Sequence, residues 1–337
     1  MSESRRATIE LLYQDKSITL DINKDLLSFS FTDNASGSAD DISLTLKDDD
    51  AKWINSWAPV KGDIIKPTIA TTNWRNIGDT QRLFCGSFMV DEPSYSGRPR
   101  VMSLGAISAP VNSDFMTVKK STTWQSGTLK RIAQSVAKNA SLELFFDSKS
   151  NPRVDFVEQG EESNSTFLQS LCIKNGLALK LYSQKIVIYS EAEYEAKAAV
   201  KTFFETDMLR WSMKTTFTDT AYDGCRISYA DPATGMLYNY TFKAPGKTGN
   251  KIDKIREPVM DWAEAVRYTK TRLRELNKKE YQINFDLPGD LELFAGQCFN
   301  LTEFGRFNGK YFIDKLAHKI GGGFVTSVDA HKCLEGY

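Results

Sequence analysis

The sequence predicts an α+β protein that is mostly β: two antiparallel β-barrel domains, at 1–115 and 201–337, with a small α/β domain at 116–200 between them. Three observations carry this reading. Short runs of period-two hydrophobicity fill Met1–Pro110 and return in Lys201–Tyr337, as half-buried strands require. Between them the apolar period changes to that of a helix. Finally, about seven strands in the first 110 residues, with turns between them, favour a small barrel or sandwich over alternating strand and helix units.

In the first region Ile9, Leu11 and Tyr13, then Ile18, Leu20 and Ile22, alternate around Gln14-Asp15-Lys16, which predicts a hairpin. Leu27, Phe29 and Phe31 continue the pattern, and Asp33-Asn34-Ala35-Ser36-Gly37 breaks it before the alternating Ile42, Leu44 and Leu46. Trp53 and Trp57 stand one helical turn apart, a spacing that lets both indoles cap a barrel end. Lys61-Gly62-Asp63 is a turn ahead of Ile64–Ala70, and Leu83–Val90 and Val101–Ile107 are strands joined by the loop Glu92–Arg100.

In the middle, Leu129, Ile132, Ala133, Val136 and Ala137 form one apolar stripe behind the start signal Ser126-Gly127-Thr128. Phe167, Leu168, Leu171 and Cys172 repeat the spacing between a Ser163-Asn164-Ser165 cap and a Gly176 stop. Leu177–Tyr182 and Ile186–Tyr189 read as a hairpin, and Glu191–Val200 as an exit linker, helical or extended. The last region holds strands at Arg210–Phe217, Asp223–Tyr229 and Leu237–Phe242, with Asp231–Gly235 as a turn. A helix is expected from Glu257-Pro258 through Trp262, Val266, Thr269, Leu273 and Leu276. Tyr281–Leu287 alternates again, Asn308-Gly309 marks a hairpin between Phe299–Phe304 and Tyr311–Leu316, and Phe324–Val328 follows Gly321-Gly322-Gly323.

Composition narrows the function classes. Lysine plus arginine and aspartate plus glutamate balance at 43 each, which removes the broad positive field of a non-specific nucleic-acid binder. No apolar run approaches the roughly 18 residues of a membrane span, and the start, with polar Met1–Arg6, carries no signal-peptide pattern. Cys85, Cys172, Cys225, Cys298 and Cys333 are odd in number and far apart, as buried free thiols of a reducing cytoplasm would be.

The chemistry-bearing residues assemble no catalytic, cofactor or metal motif. Gly246-Lys247-Thr248 resembles the tail of a phosphate loop, but Thr241 stands where its first glycine is needed. Asp48-Asp49-Asp50 lacks the glycine and distal glutamate of a calcium loop and reads as a solvated helix start, as does Glu161-Glu162. His318 and His331 have no metal-ligand spacing with cysteine and read as surface or strand-end histidines. No serine sits in a nucleophile elbow. Asn239-Tyr240-Thr241 and Asn300-Leu301-Thr302 match the glycosylation pattern by coincidence.

Five blocks, in this order, resemble the late-control protein D family, the central baseplate hub of contractile phage tails and related phage-tail-like bacteriocins. They are Lys52-Trp53 to Trp57 with Lys61-Gly62-Asp63; Phe84–Glu92; Thr123-Trp124 with the Leu129–Ala137 helix; Ser165–Leu171 leading to Gly176; and Phe304-Gly305 to Gly309-Lys310-Tyr311. The resemblance implies tail-tube-like barrels and a homotrimeric ring that adapts a threefold central spike to a sixfold tail tube. It implies contacts with the trimeric spike, the tube, other baseplate proteins and the tape-measure protein. It also implies assembly in the bacterial cytoplasm before incorporation into the baseplate of a virion or bacteriocin. The role is structural, not enzymatic, with no cofactor. Exposed aromatics suit such interfaces, and Trp57, Trp74, Tyr95 and Trp211 are the candidates. Two other readings stand beside it: a carbohydrate- or receptor-binding tail module, favoured by Trp74 and Tyr95 in one groove, and a peptidoglycan hydrolase with a carboxylate pair in a cleft.

Overall fold

The computed structural model describes residues 4–108 and 114–337; Met1-Ser2-Glu3 of the polar start and the 109–113 stretch beside the expected 115/116 boundary lie outside them. The protein is mostly β, with 46% of its residues in strands and 18% in helices. Strands from both ends of the chain belong to a single sheet. Its antiparallel path runs Arg210–Thr215, Tyr281–Pro288, Phe324–Lys332, Gly309–Ile320, Leu26–Asn34, Asp41–Lys47, Val101–Ile107, Phe88–Ser96, Ile64–Thr72, Arg6–Tyr13 and Lys16–Ser17. The join is the pairing of Gly309–Ile320 with Leu26–Asn34, in which His318 opposes Phe31 and Ile320 opposes Phe29. Among the described residues no ring of strands closes.

Alternation gives this sheet two different faces. One row, Leu287, Thr326, His318, Phe31, Ile42, Ala106 and Val90, points into the core through six neighbouring registers. The adjacent row, Arg210, Asp286, Ser327, Ala317, Thr32 and Asp41, points to the opposite face and is mostly polar. A one-residue slip anywhere would exchange the two rows, so the core locks the register.

Two apolar cores lie against the sheet. One gathers Ile9, Phe29, Phe31, Leu44, Ile65, Phe88 and Leu104 with Ile320 and Phe324 from the far end of the chain. The other is built from Phe203, Ile283, Phe285, Phe299, Tyr311 and Leu316, where the Phe299 ring stacks on Tyr311 at 5.7 Å and meets Phe203 and Phe285 edge-on.

The middle segment follows its sequence closely. Its helices are Leu129–Asn139, capped by Thr128, and Asn164–Lys174, capped by Ser163. They bury Leu129, Ile132, Ala133, Phe167 and Leu168 against the sheet of Glu143–Asp147, Lys185–Tyr189 and Ala178–Tyr182. Gly176 ends the second helix at φ 73°, a left-handed backbone that glycine adopts without strain. A long ribbon, Lys119–Thr128 paired with Arg153–Ser163, stands beside them.

Four local expectations are corrected. Ile18–Ile22 is no strand: after the two-residue strand Lys16–Ser17 the chain turns into the helix Thr19–Asp25, where Asn23 exchanges hydrogen bonds with the Ile9 backbone. Trp53 and Trp57 sit in consecutive turns, because the buried Asp48 carboxylate takes the Trp53 and Ile54 amides and is not solvated. Glu161 and Glu162, by contrast, do stand just ahead of the second helix, in the irregular end of the ribbon before its cap Ser163. Leu83–Val90 is two strands, Thr80–Phe84 and Phe88–Ser96, broken at Gly86 with φ 121°. The long helix begins at Trp262, capped by Asp261, and not at Glu257-Pro258.

Candidate functional site: the ends and the polar face of the sheet

The edge strand Arg210–Thr215 pairs on one side only, with Tyr281–Pro288. An unpaired row of backbone donors and acceptors is therefore presented beside it, together with apolar side chains that would otherwise cover the core. Trp211 is 44% exposed and meets Phe304 edge-on at 5.3 Å, while its indole donates to Glu205 at 3.2 Å. Leu209, Phe204 and Phe217 add exposed apolar surface on the flanking segments.

The opposite end of the sheet carries a different apolar surface. A groove of about 340 Å³ is lined by Leu11, Ile18, Trp53, Trp57, Val60 and Met102 among others. Trp57, 40% exposed, meets buried Trp53 edge-on at 5.7 Å, and the Lys52 ammonium lies 3.8 Å from its ring centre. Tyr95 stands beside the groove, close enough to Tyr13 for the two hydroxyls to interact electrostatically. Burial, then the Asp63 hydrogen bond, pushes the Tyr13 hydroxyl above its ordinary pKa.

Trp74 has a different place. It is half-buried, its indole N–H donates to the Gly289 carbonyl at 2.6 Å, and its ring lies 5.2 Å from Phe324. It ties the loop at 73–79 to the last third of the chain, helped by Arg75 bonding Asp290 at 2.6 Å. Trp57 and Tyr95 thus share one end of the sheet, Trp211 lies at the other, and Trp74 joins the two regions. Trp74 lines a separate cavity with Arg75, Phe203 and Asp290.

The polar face between these ends is concave. Two cavities of about 460 and 410 Å³ follow it, lined by Lys214, Asn284, Asp314 and Lys315 and by Arg210, Asp286, Lys319 and Ser327, with Asp329 in both. Burial raises the Asp329 carboxyl, and Lys315 opposes that rise. Positive and negative groups alternate here, Arg210 pairing with Asp286. Asp314 and Asp286 also face Asp329 and raise it, while Lys319 joins Lys315 in lowering it.

The middle segment is clamped to both regions by buried charge. Lys180 pairs with Asp33 and lies 3.2 Å from Asp40, and it donates to the Asn34 carbonyl at 2.8 Å. Burial, partly offset by Lys180, pushes Asp40 up to about 7. On the other side the expected exit linker contains a helix, Glu191–Glu195, whose two end glutamates are buried. Glu195 meets Arg274 and His331, and Glu191 lies 3.4 Å from Arg274 and 3.5 Å from Lys278. His331 also approaches Asp314 at 2.8 Å. Both histidines are therefore core residues, His318 fully buried and His331 nearly so, contrary to the surface expectation. Glu191, Glu195 and His331 could by spacing hold a cation, but Arg274 and Lys278 already neutralise the carboxylates, so the cluster fits an ion-pair network. Spacing could not reveal it, because its members come from positions 191 to 331.

No protein-family model matches the chain. Two curated relatives do: the probable baseplate hub protein of Escherichia phage 186, 26% identical over 178 residues and 52% of this chain, and that of Escherichia phage P2, 29% identical over 168 residues and 49% of this chain. The chain is a relative of the phage baseplate hub proteins. The matches span 43% and 41% of those two proteins, less than half of their length. The fold is also that of the 43 kDa tail protein of prophage MuSo2 from Shewanella oneidensis, with a TM-score of 0.73, 13% identity and coverage of 97% of this chain and 98% of that one. The hub relationship thus agrees with the likeness read from the five sequence blocks, and the fold agrees in being mostly β.

Proposed function

We propose that this chain is a structural baseplate hub whose copies close head to tail into a threefold ring. The carrying observation is that the open sheet ends in two unlike apolar surfaces, Trp211 with Leu209 at one edge and the Trp57 groove at the other. Unlike surfaces make heterologous contacts, and heterologous contacts close into rings when the rotation permits. The two strand-rich regions act as two tube-like units per subunit, so three subunits offer six to a sixfold tail tube while the opposite face receives a trimeric spike. Other baseplate proteins and the tape-measure protein are further partners. The concave polar face lines the lumen, where mixed charge avoids a uniformly attractive surface for a passing polyanion. The part played is adaptor and transmitter of force, without catalysis, in a baseplate assembled in the bacterial cytoplasm. Among the described residues no helix is long and apolar enough to cross a membrane.

Light scattering over a concentration series tests the ring, with the 38.0 kDa chain as the unit. A mass of three units supports it. A monomer at every concentration, unchanged by adding a trimeric baseplate spike protein, overturns it.

A further inference from the structure

The sequence places Cys298 and Cys333 35 residues apart and shows no pairing, but the fold brings their sulfurs to 3.9 Å. Cys298 is in the strand Cys298–Leu301, and Cys333 directly follows the strand Phe324–Lys332. Both strands flank Gly309–Ile320, which holds them in register through Cys298 opposite Phe312 and the Cys333 amide on the Lys310 carbonyl. Cys298 is buried, whereas Cys333 is partly open to solvent. Cys85, Cys172 and Cys225 are buried and sit in separate cores.

We infer that Cys298 and Cys333 form a redox-modification site, a dithiol that small disulfides such as oxidised glutathione convert to an intramolecular disulfide. Reaction begins at the accessible sulfur: Cys333 displaces one glutathione thiol and takes the other half as a mixed disulfide. Cys298 then attacks the Cys333 sulfur and releases the second glutathione. Two protein S–H bonds and one glutathione S–S bond are lost, and one protein S–S bond and two glutathione S–H bonds are formed. Within the dithiol the hydrogen bond between the two sulfurs lowers the Cys298 thiol and raises that of Cys333; once Cys333 is a mixed disulfide that bond is gone, and Lys310 and His331 remain to favour the Cys298 thiolate against burial and Glu195.

The bond would act at a joint. The Cys298 sulfur lies 3.6 Å from the Tyr194 carbonyl, and the Leu334 amide donates to Glu195 at 2.8 Å. A disulfide therefore pins the C-terminal end against the helix through which the middle segment meets the sheet. The inference does not rest on the hub reading: a protein that never forms a ring still has this pair.

The test is incubation of the full chain with oxidised glutathione, followed by intact mass, thiol titration in denaturant and peptide mapping. Expected are a mass lower by two hydrogens, a fall from five titratable thiols to three, and a linked peptide pair containing Cys298 and Cys333. Cys333→Ser should abolish the mass loss, and Cys172→Ser should leave it intact. A stable glutathione adduct on Cys333 with no internal link, or a link between other cysteines or between chains, overturns the inference. So does a chain that keeps all five thiols.

Discussion

The Nε2 of His331 lies 2.8 Å from Oε1 of Glu195, joining the last strand of the chain to the helix that leaves the middle segment. Burial alone would hold this imidazole neutral. Asp314 at 2.8 Å, then Glu195 and Glu191, reverse that and raise its pKa to about 10. The charged form belongs to the folded state, so the sign follows directly. Stabilisation is complete below the unfolded histidine value near 6.5 and is lost as pH rises through about 10. The unfolding free energy of the wild type in urea should fall across that window. His331→Gln should flatten that loss and cost most at pH 6; equal pH dependence in both proteins would refute the role.

His318 should show the opposite sign. It is fully buried, its Nδ1 lies 3.0 Å from the Thr326 hydroxyl, and burial, partly offset by Asp290, lowers its pKa to about 4. The neutral form is the folded one. Its contribution is present above about 6.5 and is lost as pH falls toward 4. The difference in urea midpoint between wild type and His318→Gln should therefore narrow on acidification from pH 7 to pH 4.5.

Lys180→Met removes the cation shared by buried Asp33 and Asp40. Leaving buried carboxylates without a partner costs about 3–5 kcal/mol. Chemical denaturation at pH 8, where Asp40 is largely ionised, should show the full loss, and a cost below about 1 kcal/mol would mean that water already solvates the pair.

Gly289 sits where any β-carbon would strike the Phe324 ring, and its carbonyl holds the Trp74 indole. Gly289→Ala should push Phe324 out of the core and lower the thermal midpoint by several degrees, as overpacking of about 1–3 kcal/mol does. The Trp74 fluorescence maximum should move to longer wavelength in the same variant; an unchanged spectrum would place the strain elsewhere.

Under the proposed ring, a double change, Leu209→Lys with Trp211→Lys, should leave the chain monomeric, with a modest loss in unfolding midpoint because Trp211, 44% exposed, also packs on Phe304. Retention of three subunits at low concentration would remove this edge from the interface.

Much of the fold was legible because local chemistry writes it. Thr128, Ser163 and Gly176 mark the middle helices, and period-two runs such as Phe29-Phe31 and Ile42-Leu44-Leu46 state which side of each strand is buried. Errors arose where a tertiary partner overrode the local signal. Ile18, Leu20 and Ile22 alternate like a strand, yet only Ile22 is buried, on a short helix. Glu191–Val200 reads as an exit linker, helical or extended, and the burial of Glu191 and Glu195 goes unseen because their counter-charges, Arg274 and His331, lie some 80 to 140 positions away.

By itself the sequence determined most of the strands, the three long helices, their order and the family likeness, since these depend on side-chain period, caps and turns within a few residues of one another. Only the tertiary structure decided that both strand-rich regions share one open sheet, that the two histidines are buried with opposite charge preferences, and that Cys298 meets Cys333. Those facts rest on desolvation and on contacts between distant residues, and neither is encoded in local spacing.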